Sequence, residues 1–202
     1  AAARGLDSAY DAVGNLVIKV PAAPGFEAAP VIVLQGHMDM VCEKTPDSDH
    51  DFDRDPIRVL RDGDWLHADR TTLGADNGIA LALALAIADD PVLPRPALEL
   101  LFTVDEESGL IGASGLDPGL ISGKVLINID SEDDHIFTIG CAGGEETLIR
   151  LPLDFTAPPE GCQFFRLVVG GLRGGHSGVD IHKPRANANR ILGRVLADLL
   201  AD

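Results

Sequence analysis

Three short apolar runs in this chain each stop on a cluster of acidic or histidine side chains, and no other feature constrains the fold as strongly. Residues 31–35 (VIVLQ) lead into Gly36-His37-Met38-Asp39-Met40. Residues 98–104 (LELLFTV) lead into Asp105-Glu106-Glu107-Ser108-Gly109, and residues 124–129 (KVLINI) into Asp130-Ser131-Glu132-Asp133. Each run is apolar nearly throughout and rich in branched residues, which predicts strands covered on both faces, as in an α/β sheet. Residues 15–20 (NLVIKV) alternate more and predict a further strand nearer an edge. Residues 79–88 (IALALALAIA) alternate like a strand, yet they are almost wholly Ala and Leu, the strongest helix formers. Asp76-Asn77-Gly78 offers capping side chains ahead of them and Asp89-Asp90-Pro91 a stop, so a buried helix is expected. Strands alternating with a helix predict an α/β fold: a mixed, mostly parallel sheet with crossovers and flanking helices.

Residues 45–61 are polar and acidic and predict a long surface loop. The Asp49-His50-Asp51-Phe52-Asp53 stretch is not a calcium loop, because Arg54 stands where an EF-hand needs Gly and no Glu occupies the twelfth position. Character changes near Gly140-Cys141-Ala142-Gly143-Gly144. Residues 145–153 and 164–170 then alternate like strands with one exposed face. A Gly-rich stretch follows at 170–178, and a helix is expected from about Arg185 to the last residue, without a C-cap. The expected domains are 1–143, holding the acidic clusters, and 144–202, the opening of a second domain.

Composition excludes several functions. The net charge of -16 lacks the basic footprint a phosphate backbone needs, so neither nucleic acid nor an anionic membrane surface is an expected partner. No apolar run approaches the roughly 20 residues that span a bilayer. The N-terminus has no Met, no charged n-region and no apolar h-region; it does not read as a signal peptide and is taken as an interior cut. Cys42, Cys141 and Cys162 are odd in number and irregular in spacing, which predicts small buried side chains in a reducing, cytoplasmic compartment rather than disulfides.

In open α/β sheets, ligands bind outside the carboxyl ends of the strands. Three strands delivering His, Glu and Asp to that edge, joined by Asp76 at the start of the helix, make a divalent metal site the expected chemistry. Imidazole nitrogen and carboxylate oxygen are both good zinc ligands, and one Asp can bridge two ions. Asp39, two residues beyond His37, is placed to accept the other ring N–H of His37 and fix its tautomer. Of the adjacent Glu106 and Glu107, one can hold metal while the other faces the bound water, the division that general-base hydrolysis requires.

The segments GHMDMVCEK, TTLGADNGIA, LFTVDEESGLIGASGLD and NIDSED closely resemble the M20 metallopeptidase family, and within it the aminoacyl-histidine dipeptidase type. The resemblance runs over nearly the whole chain. It implies that His37, Asp76 and Asp130 ligate one Zn2+, and that Asp76 bridges to a second, which Glu107 also ligates. Glu106 would be the general base and Asp39 the orienting carboxylate; Co2+ or Mn2+ are possible substitutes. GLRGGHSG followed by VDIHKPRANA resembles the start of the family's lid, or dimerisation, domain, in which His176 matches the histidine that approaches the substrate carbonyl as an oxyanion donor. His50, His67, His135 and His182 carry no assigned role. A homodimer through the lid domain and a small dipeptide substrate, Xaa-His among others, are implied.

Two other functions share these motifs. An M20 amidohydrolase deacylating N-acyl amino acids would use the same metal chemistry with a different pocket, and a non-catalytic M20-like binding module would keep the fold alone. The presence of both Glu106 and Asp76 favours catalysis. The resemblance implies a final metal-ligand His near the C-terminus of a longer chain, and no histidine follows His182 here, so the isolated 202-residue chain is expected to have little or no dipeptidase activity. Turnover of a Xaa-His dipeptide by that purified chain at rates typical of an enzyme would refute this.

Overall fold

The apolar runs pair side by side. The computed structural model describes residues 1–201 except 132, 134, 142, 144–146 and 176–179, and the chain divides into two compact units, Ala1–His135 and Ile136–Asp202. In the first unit, β1 (Asp7–Tyr10), β2 (Leu16–Val20), β3 (Ile32–His37), β6 (Leu98–Thr103) and β7 (Val125–Asn128) form one sheet in the order β1-β2-β6-β3-β7. β3 runs parallel to both β6 and β7, while β2 is antiparallel to β1 and β6. The expected α/β class with parallel central strands is therefore the observed one. β4 (Val59–Asp62) and β5 (Trp65–Ala68) form a separate antiparallel hairpin. β4 begins inside the segment expected to be loop, and the Gly63-Asp64 turn follows just past it.

Alternation along the strands sorts their side chains onto two faces. Ile18, Val20, Leu34, Leu98, Leu100 and Phe102 pack on one face with Ala84 of α1 (Ala75–Asp89). Val17, Val33 and Leu101 pack on the other, under Leu116, Leu120 and Ile121. β6 is buried along its whole length, as its unbroken apolar run predicts. β7 departs from expectation: its side chains are exposed, and it lies at the edge of the sheet, paired among the described residues with β3 alone.

The helix is also less buried than its composition suggests. Only Asn77, Ala80 and Ala84 of α1 are buried, while Leu83 and Leu85 are about half exposed. The small side chains at 80 and 84, one turn apart, let the helix lie close against β3. Gly36 completes that approach: a Cβ built there would lie 2.7 Å from the Cβ of Ala80.

In the second unit, α2 (Ala188–Leu199) starts after Asn187, whose side chain accepts the Arg190 N–H at 3.0 Å. Asp180 pairs with Lys183 and Arg185. The strands expected at 145–153 and 164–170 do not form among the described residues, and Phe155 and Phe165 are almost fully exposed. A strand needs a neighbour for its backbone hydrogen bonds, and neither segment has one there. The three cysteines are likewise exposed and unpaired with one another, not buried; all lie outside helices and strands.

One buried charge fastens the sheet at its amino-terminal end. Glu99, 3 % exposed, accepts the Ser122 N–H (2.8 Å), the Ser122 hydroxyl (2.7 Å) and the Gly123 N–H (3.0 Å). Burial opposes its charge, but these donors and the nearby Lys19 outweigh it and hold the carboxyl below its ordinary 4.5. A group whose folded pKa is depressed stabilises the fold above its unfolded pKa, and that contribution is lost as pH falls through the folded value. Glu99→Gln should therefore lower the unfolding free energy at neutral pH by about 2 kcal/mol. Urea titrations at a series of pH values should show the gap between the two proteins closing below pH 4.5.

Candidate metal centre

The parallel register brings the strand ends together. His37 closes β3 opposite Thr103, the last residue of β6. A polar row runs across the neighbouring ends: Asn128 Nδ2 donates to Gln35 Oε1 (2.5 Å), and Gln35 Nε2 to Thr103 Oγ1 (3.2 Å). Beyond this row the chain turns at each strand, and the acidic clusters stand in the turns.

His37 is the centre of the group. Its side chain is 1 % exposed. Nε2 lies 3.0 Å from Asp76 Oδ1, 3.9 Å from Asp130 Oδ2 and 4.0 Å from Glu106 Oε2. Nδ1 lies 2.9 Å from the backbone carbonyl of Asp39. A carbonyl only accepts, so Nδ1 carries a proton. Nε2 faces a second acceptor, Asp76 Oδ1 at 3.0 Å, and two acceptors on one ring favour its protonated form. Burial alone would push its pKa down, but the Asp76 hydrogen bond, Asp130 and Asp39 together raise it above the ordinary 6.5.

Asp39 does something different from what its spacing suggests. Its carboxylate stands 3.4 Å from His37 Nδ1, farther than its own backbone carbonyl. Instead, Oδ1 accepts the Glu106 N–H (3.1 Å) and Oδ2 the Glu107 N–H (3.0 Å). Burial works against this charge, yet the two amides outweigh it and keep the carboxyl below its ordinary 3.8. Asp39 thus orients His37 through its main chain and clamps the turn bearing both glutamates through its side chain.

That turn is pinned from the other side as well. Asp105 adopts a left-handed conformation (φ 50°), which Asp tolerates better than most residues, and bends the chain out of β6. Asn15, fully buried, accepts the Val104 N–H (3.2 Å) and donates to the Gly112 carbonyl (2.8 Å). Gly112 leaves room for this contact, since a Cβ there would lie 2.6 Å from Asn15 Oδ1. Nothing in the sequence around Asn15 signals such a role.

Glu106 is partly buried among like charges. Its burial, with Asp130, Glu107 and Asp39 nearby, raises its pKa above the ordinary 4.5, against the pull of His37. A carboxyl so placed is suited to accept and return a proton.

Two sets of side chains converge as metal ligands do: His37, Asp76 and Asp130, and His37, Glu106 and Glu107. In each set one ligand atom per residue lies within 4.8 Å of the others. The donor chemistry fits a divalent cation. With Nδ1–H fixed on the Asp39 carbonyl, loss of the Nε2 proton leaves a lone pair aimed among carboxylates, and a cation can take that proton's place. Glu107 is grouped here with His37 and Glu106, rather than with the Asp76 of the implied bridge. His176 lies outside the described residues.

No family model matches the chain. It is 46 % identical over 194 residues to the cytosol non-specific dipeptidase of Escherichia coli (strain K12), a match covering 96 % of this chain and 40 % of that protein. Among solved structures it resembles an aminoacylhistidine dipeptidase from Vibrio alginolyticus (37 % identity, TM-score 0.65), covering 97 % of this chain and 40 % of that one. A tripeptidase from Staphylococcus aureus is more distant, at 28 % identity and TM-score 0.53 over 66 % of this chain and 36 % of that one. The chain thus spans 40 % of the length of the two dipeptidases.

The clamp by Asp39 has a local signature. In Asp39→Ala, hydrogen exchange at the Glu106 and Glu107 amides should accelerate about tenfold or more, the loss expected for a hydrogen bond to a charged acceptor. Exchange at Val104, held by Asn15, should change far less. Equal acceleration at all three amides would contradict the clamp.

Proposed function

We propose, from its similarity to two dipeptidases along 40 % of their length, that this chain is part of an M20 metallopeptidase of the aminoacyl-histidine dipeptidase type, and that it supplies the metal-binding core of an enzyme that hydrolyses small unblocked dipeptides, Xaa-His among them. The observation that carries this reading is the meeting of His37 Nε2 with carboxylates from separate elements: Asp76 at α1, Asp130 after β7 and Glu106 after β6.

His37, Asp76 and Asp130 would hold one Zn2+, with Asp76 and Glu107 as ligands of a second, and Co2+ or Mn2+ as substitutes. Bound there, such ions supply Lewis acidity for the scissile carbonyl and lower the pKa of water. The chain's own residues do the rest. Glu106 takes the proton of the attacking water and delivers it to the nitrogen of the leaving amine, so that one carboxyl serves both halves of the reaction. Asp39 holds Glu106 and Glu107 by their amides and His37 by its carbonyl, and keeps the base in register with the imidazole.

Ala1–His135 contains all these groups and would be the catalytic portion; Ile136–Asp202 would open the lid through which two copies pair, with His176 as the oxyanion donor. A cytosolic location follows the named relative. Among the described residues, no helix is long and apolar enough to cross a membrane.

Metal analysis and kinetics test the proposal together. The full-length protein should retain a divalent ion through dialysis, and its activity with free dipeptides should exceed that with N-acyl amino acids. Glu106→Gln should lower turnover by about 10²- to 10⁴-fold, the usual share of general acid–base catalysis, with metal content unchanged. A protein that binds no divalent ion, or that prefers acylated amino acids, would overturn it.

A further inference from the structure

Asn77 is 3 % exposed and directly follows Asp76. Its position at the start of α1 suggests a helix cap, but no side-chain capping bond forms there. Its amide is used elsewhere. Oδ1 accepts the His37 N–H at 3.1 Å. Nδ2 donates to the Ile129 carbonyl at 2.9 Å and to Asp130 Oδ1 at 3.3 Å. One side chain therefore bonds to the main chain of one candidate ligand, to the side chain of a second, and to the residue before it, while being joined by its own peptide bond to the third.

Only a carboxamide of this length offers an acceptor on one branch and two N–H donors on the other. Its seat is shaped to match. A Cβ on Gly36 would lie 2.4 Å from Asn77 Oδ1 and 3.6 Å from its Cγ, so the residue beside His37 must be glycine for the amide to enter.

We propose that Asn77 is the positioning residue of the metal centre: seated against Gly36, it sets the spacing of His37, Asp76 and Asp130. It acts on the ions through these ligands and does not touch them itself. The inference rests on the metal reading of the site, and it assigns to a neutral amide the task of holding three ligand-bearing segments in one frame. Partners of metal ligands commonly tune affinity as strongly as this.

Co2+ provides the test, because its visible absorption reports ligand geometry independently of turnover. The metal-free protein is titrated with Co2+, and its affinity is measured by competition with a chelator. Asn77→Leu, which keeps the volume and removes the polar atoms, should weaken binding by about 10- to 100-fold and shift or flatten the Co2+ absorption band. Gly36→Ala, which displaces the amide without altering any polar group, should move both quantities in the same direction, and it decides the matter if Asn77→Leu does not fold. Glu99→Gln serves as the control for stability: it should lower the unfolding free energy yet leave affinity and spectrum as in the unsubstituted protein. Wild-type affinity and spectrum in a folded Asn77→Leu or Gly36→Ala protein would overturn the positioning role alone. Failure of the unsubstituted protein to bind Co2+ would overturn the metal reading and this role with it.

Discussion

The burial of the His37 imidazole among carboxylates is the constraint on which the rest of this structure depends. A ring with 1 % exposure cannot exchange its partners for water, so every group around it has to be placed by the protein. The parallel alignment of β6, β3 and β7 does the first part, by ending three strands at one edge. Two buried asparagines and one aspartate do the second. Asn77 ties the end of β3 to the residues after β7, Asn15 ties the end of β6 to Gly112, and Asp39 ties the turn after β6 to the segment after β3.

This arrangement gathers like charges. Asp39, Asp76, Glu106, Glu107 and Asp130 crowd one imidazole, in a chain whose net charge is already -16. Coulomb repulsion at such separations is not relieved by burial, which weakens the screening by water. The structure answers it in two ways. Where donors are available, as for Asp39, backbone amides hold the charge; where they are fewer, as for Glu106, the carboxyl gives way and its pKa rises. A divalent cation would relieve the remaining repulsion, so the crowding favours its binding.

Much of the fold was legible from pattern. The runs that became β2, β3, β6 and β7 were recognisable from apolar content, and α1 from its alanines and leucines despite their misleading alternation. The failures have a common cause. The exposed β7, the half-exposed α1 and the strands expected at 145–153 and 164–170, which do not form among the described residues, all concern what covers a segment, and hydrophobicity states only that a segment can be covered. The β4–β5 hairpin was missed because charged residues obscured a short Asp-Gly turn signal.

The sequence by itself determined the chemical identity of the site: His37, Asp39, Asp76, Glu106, Glu107 and Asp130 all follow or open apolar elements, and side-chain type sets which protons and cations they can hold. The division of labour among supporting groups was decided only in three dimensions. Asp39 gives its carbonyl to the ring and its carboxylate to the glutamate turn, and Asn77 leaves the cap position to bridge β3 and the end of β7. Hydrogen bonds between residues 40 to 68 positions apart leave no periodicity in a chain. Their partners are fixed by strand register and by the close approach that Gly36 allows, and both exist only once the sheet and helix have packed.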